Sequence, residues 1–190
     1  ISVDMGAPSL DRWRDELPGQ FFAAGISEQN AINFAAGLSA AGKKPYVYFM
    51  ACWAARCFEQ IRYSCAMADN PIVILGNGVA LGYAPAGPAH SPTEDIAYMK
   101  SLCGMEIFSP TNSDMAAHLA HLSVDDFKLR YMRFERSYPE VLEGIYGEDE
   151  FDNQFFEEGM RYLRSAGMNS DVCIVSNGYM LGRAIGLFEK

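Results

Sequence analysis

The chain reads as an α/β fold, a mostly parallel sheet with helices on both faces. Two observations lead there. Short apolar runs alternate with stretches of helical spacing along the chain. Several of the apolar runs also end in glycine or lead into glycine-rich turns, as buried parallel strands do.

Residues 21–25, all small or aromatic, predict a short strand ending at Gly25, after which Ser27 is placed to cap a helix running to about Gly42. Residues 45–50 predict a buried strand. Residues 53–68 have helical spacing that puts Phe58, Ile61 and Cys65 on one face. Residues 70–78 predict a fully apolar strand, and a Gly/Pro/Ala-rich loop follows from Val79 to Pro92. A helix over 93–103 begins with acids, which suits its dipole. A strand over 105–110, a helix capped near Ser113 and a strand over 127–134 complete the first domain, taken as residues 1–140. Residues 141–170 are acidic and irregular and predict a linker. Residues 171–190 restart the strand, turn, helix order, as the beginning of a further α/β domain.

Composition excludes some functions. The net charge of −9 argues against non-specific nucleic-acid binding, which needs a basic face. Most of the excess lies in Glu143, Glu148, Asp149, Glu150, Asp152, Glu157 and Glu158, so it says little about a substrate. No long apolar run predicts a membrane span, and the N-terminus lacks the pattern of a signal peptide. Five cysteines without a Cys-x-x-Cys spacing fit reduced, buried thiols in a cytoplasmic protein. His118 and His121 stand three apart on one helix, with no supporting ligand, and read as surface residues; no metal site is expected.

In parallel sheets ligands sit where strands end and helices begin. The candidate regions are therefore Gly25 to Asn30, Phe49 to Arg56, Gly76 to His90, and Arg133 to Arg136. Glu28, at a strand-to-helix turn, is either a plain capping acid or a functional carboxylate. Phe49 and Trp53 are either core or a ring-binding wall. Arg56, Arg133 and Arg136 are either structural or anion-binding forks.

Four ordered segments then carry a resemblance. They are Gly25-Ile26-Ser27-Glu28-Gln29-Asn30 with the small-residue helix after it, residues 42–62, residues 87–102, and residues 108–114. Together they resemble the pyrimidine domain of transketolases, deoxyxylulose phosphate synthases and the beta subunits of 2-oxo acid dehydrogenases. The resemblance implies thiamine diphosphate as cofactor, with Glu28 on the N1′ of its aminopyrimidine and Phe49, Met50 and Trp53 beside that ring. It implies that Arg56, His90 and Arg136 face the substrate, and that His90 is a donor or proton shuttle. Mg²⁺ and the diphosphate belong to a Gly-Asp-Gly motif that this chain lacks, so they fall to a partner: a diphosphate-binding domain or N-terminal transketolase subunit, in a homo- or hetero-oligomer.

The implied activity is transfer of a two-carbon ketol unit from a ketose sugar to an aldehyde. The alternatives are the beta subunit of a 2-oxo acid dehydrogenase and a non-catalytic relic of the fold. Two departures bear on substrate. Ala86 stands where transketolases carry an aspartate that reads a sugar hydroxyl, and Gly78 where they carry a histidine that helps to bind the sugar phosphate. Losing such partners changes specificity and argues against ordinary pentose phosphates.

Overall fold

The computed structural model describes residues 1–3, 6–136 and 171–188. The chain divides into two compact units, residues 1–108 with 122–136, and residues 109–121 with 137–190.

The first unit is built on four parallel strands, β1 (Tyr46–Met50), β2 (Val73–Asn77), β3 (Glu106–Phe108) and β4 (Arg130–Phe134), in the order β1-β2-β4-β3. The register aligns Met50, Asn77 and Phe134 side by side at the C-terminal edge. Every strand runs the same way, so every chain segment leaving the sheet at that edge can contribute to one site.

The strand expected over residues 21–25 is reduced to a single bridge. Ser2 lies between Ala23 and Tyr48, with Ser2 N donating to Phe22 O at 2.8 Å and Ala24 N to Ser2 O at 2.8 Å.

Among the described residues, the first unit contains the helices α1 (Asp11–Glu16), α2 (Glu28–Ala40), α3 (Phe58–Gln60) and α4 (Asp95–Lys100); α5 (Ser113–Asp125) follows β3 in the chain and falls mostly within the second unit. In α2 the buried residues are Glu28, Ala31, Ile32, Ala35 and Ala36, one face at helical spacing. The alanines let its backbone come close to its neighbours. Ser27 precedes α2 as expected, but its hydroxyl donates to Ala24 O at 2.6 Å and does not cap the helix. For α5 the cap is Asn112, whose Oδ1 accepts from Met115 N at 2.9 Å, one residue before the expected Ser113.

The helix expected over 53–68 changes pitch twice. It runs as a 3₁₀ helix over Ala51–Cys57, takes one α turn at α3, and becomes a π-helix over Ile61–Met67. The predicted face holds nonetheless: Ile61 and Cys65 are buried, and Phe58 packs against the core. That core gathers Val3, Ile32, Val47, Phe49, Ile72, Ile74 and Met99 among others. Each large aliphatic side chain enclosed this way contributes about 1.5–3 kcal/mol.

A buried polar network fastens α4 to the sheet. Asp95, 1% exposed, accepts from the Tyr131 hydroxyl at 2.9 Å and from Arg133 Nε at 2.8 Å and Nη2 at 3.1 Å. Tyr131 and Arg133 are alternate residues of β4 and so share a face. Gly76 of β2 makes room: a Cβ there would stand 2.6 Å from Tyr131 Cε2.

In the second unit, described by itself, helix α6 spans Met180–Phe188 and buries Leu181 and Ile185. The strand expected just before it is absent among the described residues: 172–177 have no regular structure, and Val172, Ile174 and Val175 are exposed. An apolar run becomes a strand only beside a hydrogen-bonding neighbour, and among the described residues none pairs with it. The predicted linker, residues 141–170, lies outside the described residues. No described helix is long and apolar enough to cross a membrane.

Candidate active site

Several of the segments singled out from sequence leave the sheet at its C-terminal edge, and of their candidate side chains Glu28 and Arg56 are brought into direct contact. After β1 the chain turns directly into the 3₁₀ helix that carries Trp53 and Arg56. After β2 it enters the loop to His90. Gly78 N and Val79 N bond Phe134 O, and Ala80 N bonds Pro92 O at 3.1 Å, so the loop closes on its own base. After β4 come Glu135 and Arg136.

Glu28 opens α2 behind Gly25, whose φ of +69° makes the sharp turn. Its carboxylate is 4% exposed and, among the described residues, takes one hydrogen-bonded ion pair, from Arg56 Nη1 to Oε2 at 3.1 Å. Arg56 itself is 56% exposed. A buried carboxylate held by a single, movable cation is poised to exchange that partner for a ligand donor. Its field reaches the neighbouring thiols. Burial first, and then Glu28, pushes Cys57 up to about 12, and burial with Glu28 also raises Cys52. These thiols stay protonated and are poor nucleophiles at neutral pH.

The three ring-side candidates part company. Trp53 is half-buried and packs against the core on one side, leaving surface for a ligand. Met50 is nearly enclosed, at 9% exposure. Phe49 is fully enclosed within the core cluster, so in this chain its ring is engaged in packing β1.

His90 ends a 3₁₀ turn, Pro88–His90, and is half-buried. Its Nδ1 is shielded from solvent and has no hydrogen-bond partner among the described residues. An unsatisfied buried ring nitrogen costs about 1–3 kcal/mol and is a natural point for a ligand hydroxyl or carbonyl.

Of the two arginines after the β4 register point at Met132, Arg133 is committed to Asp95 and belongs to the framework. Arg136 is exposed and lies over the Tyr83 ring at 5.1 Å from its centroid. Tyr83 and Asn77, which meet at 3.3 Å, were not singled out from sequence. Both fall within the candidate region Gly76 to His90, in which neither was given a role.

Among the described residues no group of three or more His, Cys, Asp or Glu side chains converges on a metal position. A cavity of ≈ 20 Å³, about one water in size, is lined by Ile1, Leu10, Trp13, Phe21, Tyr46, Tyr48 and Leu75 and shares no residue with the Glu28 cluster.

Comparison with known proteins places the chain in a family. The sequence model of "Transketolase, pyrimidine binding domain" matches residues 1–139. One subunit of the apulose-4-phosphate transketolase of Phocaeicola vulgatus is 34% identical over 148 residues, which are 77% of this chain and 46% of that protein. A 6-deoxy-6-sulfo-D-fructose transketolase subunit of Clostridium sp. (strain MSTE9) is 28% identical over 188 residues, 98% of this chain and 55% of that one. The chain thus spans about half the length of these curated relatives. Among solved structures, a split-gene transketolase, described as an inactive beta4 tetramer, superposes with a TM-score of 0.66 at 28% identity, covering 80% of this chain and 49% of that one. The parallel sheet fits that likeness, and the family match over residues 1–139 settles it: the chain belongs to the transketolase family and carries its pyrimidine-binding domain.

Proposed function

We propose that this chain supplies the aminopyrimidine-binding half of a thiamine-diphosphate enzyme that transfers a two-carbon ketol unit from a ketose to an aldehyde. The observation that carries the reading is Glu28: a carboxylate 4% exposed, at the positive end of a helix, paired among the described residues through one half-exposed arginine.

The residues present fit the cofactor's aminopyrimidine. Glu28 would hold a proton at the ring nitrogen N1′, with Arg56 as the partner released or shared on binding. Trp53 offers a flat face, worth about 0.5–1.5 kcal/mol beyond area burial, and Met50 fills the space beside it. Phe49 supports both from inside the core. Bound there, thiamine diphosphate supplies the carbon nucleophile that breaks and forms the C–C bond. The chain's remaining work is with substrate. His90 presents its Nδ1 to a substrate oxygen and can donate or accept a proton there. Arg136 and Arg56 are the exposed cations available to an anionic sugar.

Mg²⁺ and the diphosphate would be held by a partner polypeptide or domain, and the assembled enzyme is an oligomer acting on sugars. Residues 1–140 are the pyrimidine domain in this reading, with 171–190 opening the next domain.

Calorimetry of thiamine diphosphate with Mg²⁺ tests the reading, on this chain alone and mixed with a diphosphate-domain polypeptide. Binding is expected only in the mixture. Glu28→Gln should abolish ketol transfer there while leaving the assembly intact. Full turnover by Glu28→Gln, or no cofactor binding in the mixture, would overturn the assignment.

A further inference from the structure

Gly78 follows β2 with a φ of +73°, and a Cβ built on it would lie 2.1 Å from Cε2 and 2.2 Å from Cδ2 of Tyr83. The Tyr83 ring therefore rests on the Gly78 backbone, in the volume that a side chain at position 78 would take. Two further contacts hold the ring. Asn77 Nδ2 donates to its hydroxyl at 3.3 Å, and the Arg136 guanidinium stands 5.1 Å from its centroid. These neighbours come from the adjacent ends of β2 and β4, where Asn77 pairs with Phe134. The loop is also braced locally, Ala86 N donating to Tyr83 O at 2.8 Å.

Tyr83 is not part of the apolar core cluster and is only half-buried. The fold thus holds a large ring in a defined place at the ligand-binding edge of a parallel sheet, without using it to pack the interior. A ring so held acts on a ligand as a wall. It fills the space beside Gly78 with a rigid ring, and it backs a cation that has no carboxylate partner among the described residues.

We infer that Tyr83 is a specificity-determining residue: its ring on Gly78 shortens the substrate cleft, which then takes short-chain anionic sugars or aldehydes and rejects long-chain ones, with Arg136 on the same ring meeting the anionic end. The inference rests on the proposed ketol-transfer reading for where substrate lies.

Two unreactive ligands test it by calorimetry on the chain assembled with its diphosphate-domain partner: glycerol 3-phosphate as the short probe and sorbitol 6-phosphate as the long one. The native protein is expected to prefer the short probe by on the order of tenfold, the scale on which pocket shape discriminates. Tyr83→Ala should erase that preference, and Tyr83→Leu, which still covers Gly78, should reduce it. Tyr83→Phe should keep it, because the ring and not the hydroxyl forms the wall. The same ratio in native protein and Tyr83→Ala, no preference in the native protein, or no binding of either probe overturns the inference. Because the probes do not react, a preference that shifts as expected in a protein without ketol transfer would sustain Tyr83 while refuting the activity. Ketol transfer with an unchanged ratio would do the reverse.

Discussion

Replacing Asp95 by Asn removes one charge from the network that ties α4 to the sheet. Asp95 is 1% exposed and takes three hydrogen bonds, at 2.8, 2.9 and 3.1 Å, from Arg133 and Tyr131. Burial first, and the Asp95 carboxylate next, push the Tyr131 phenol well above its ordinary range, so it remains a donor at every accessible pH. An asparagine in this place could still accept from Tyr131 but would leave the Arg133 guanidinium, 9% exposed, without the Asp95 counter-charge. Breaking a buried pair from one side costs about 3–5 kcal/mol. The lower figure, about 3 kcal/mol, is expected because the amide retains part of the hydrogen bonding. Against a typical total of about 5–15 kcal/mol this is a large share. Urea unfolding followed by the fluorescence of Trp13 and Trp53 measures it, as a midpoint lowered by about 1–2 M at a slope near 2 kcal/mol/M. Asp95→Leu combined with Arg133→Met should recover most of the loss, since an apolar pair of similar volume replaces both charges. A loss under about 1 kcal/mol for Asp95→Asn, or a double variant worse than the single one, would refute the view that this network is an obligatory charge pair.

Two further outcomes follow from the titrating groups. Cys57 and Cys65 are buried thiols pushed up to about 12, chiefly by desolvation, so a disulfide reagent at mildly alkaline pH should modify exposed Cys103 and Cys173 and reach Cys57 and Cys65 only after unfolding. Rapid native labelling of Cys57, read by mass spectrometry, would contradict its burial. Glu135 has its carboxyl raised by burial first, with Arg133 opposing and Asp95 adding. A raised carboxyl means the folded state keeps its proton longer than the unfolded chain, so this contribution is fully present below the unfolded value of about 4.3 and is lost as pH rises through the higher folded value. Glu135→Gln should flatten the fall in stability over that window; parallel stability curves for the two proteins would count against it.

Much of this was written locally. The alternation of apolar runs with helical spacing needs only near neighbours, and it placed β1, β2, β3, β4 and α2 close to their observed spans. Glu28 at a glycine turn before a small-residue helix was likewise visible, because turn, cap and helix face all lie within a few residues of one another. Its burial and its partner were not, since Arg56 arrives from a different element. The changes of helical pitch between Ala51 and Met67 also escaped, because spacing constrains which face is buried more tightly than how the backbone winds beneath it.

Composition and spacing, then, were sufficient for the class of fold and for an acid at the glycine turn that opens α2. The strand order β1-β2-β4-β3, the pairing of Asp95 with Arg133 38 residues away, and the seating of Tyr83 on Gly78 between Asn77 and Arg136 required the assembled chain. Each of these joins groups that no local period relates. Desolvation and steric contact assign their roles only once distant strands lie side by side.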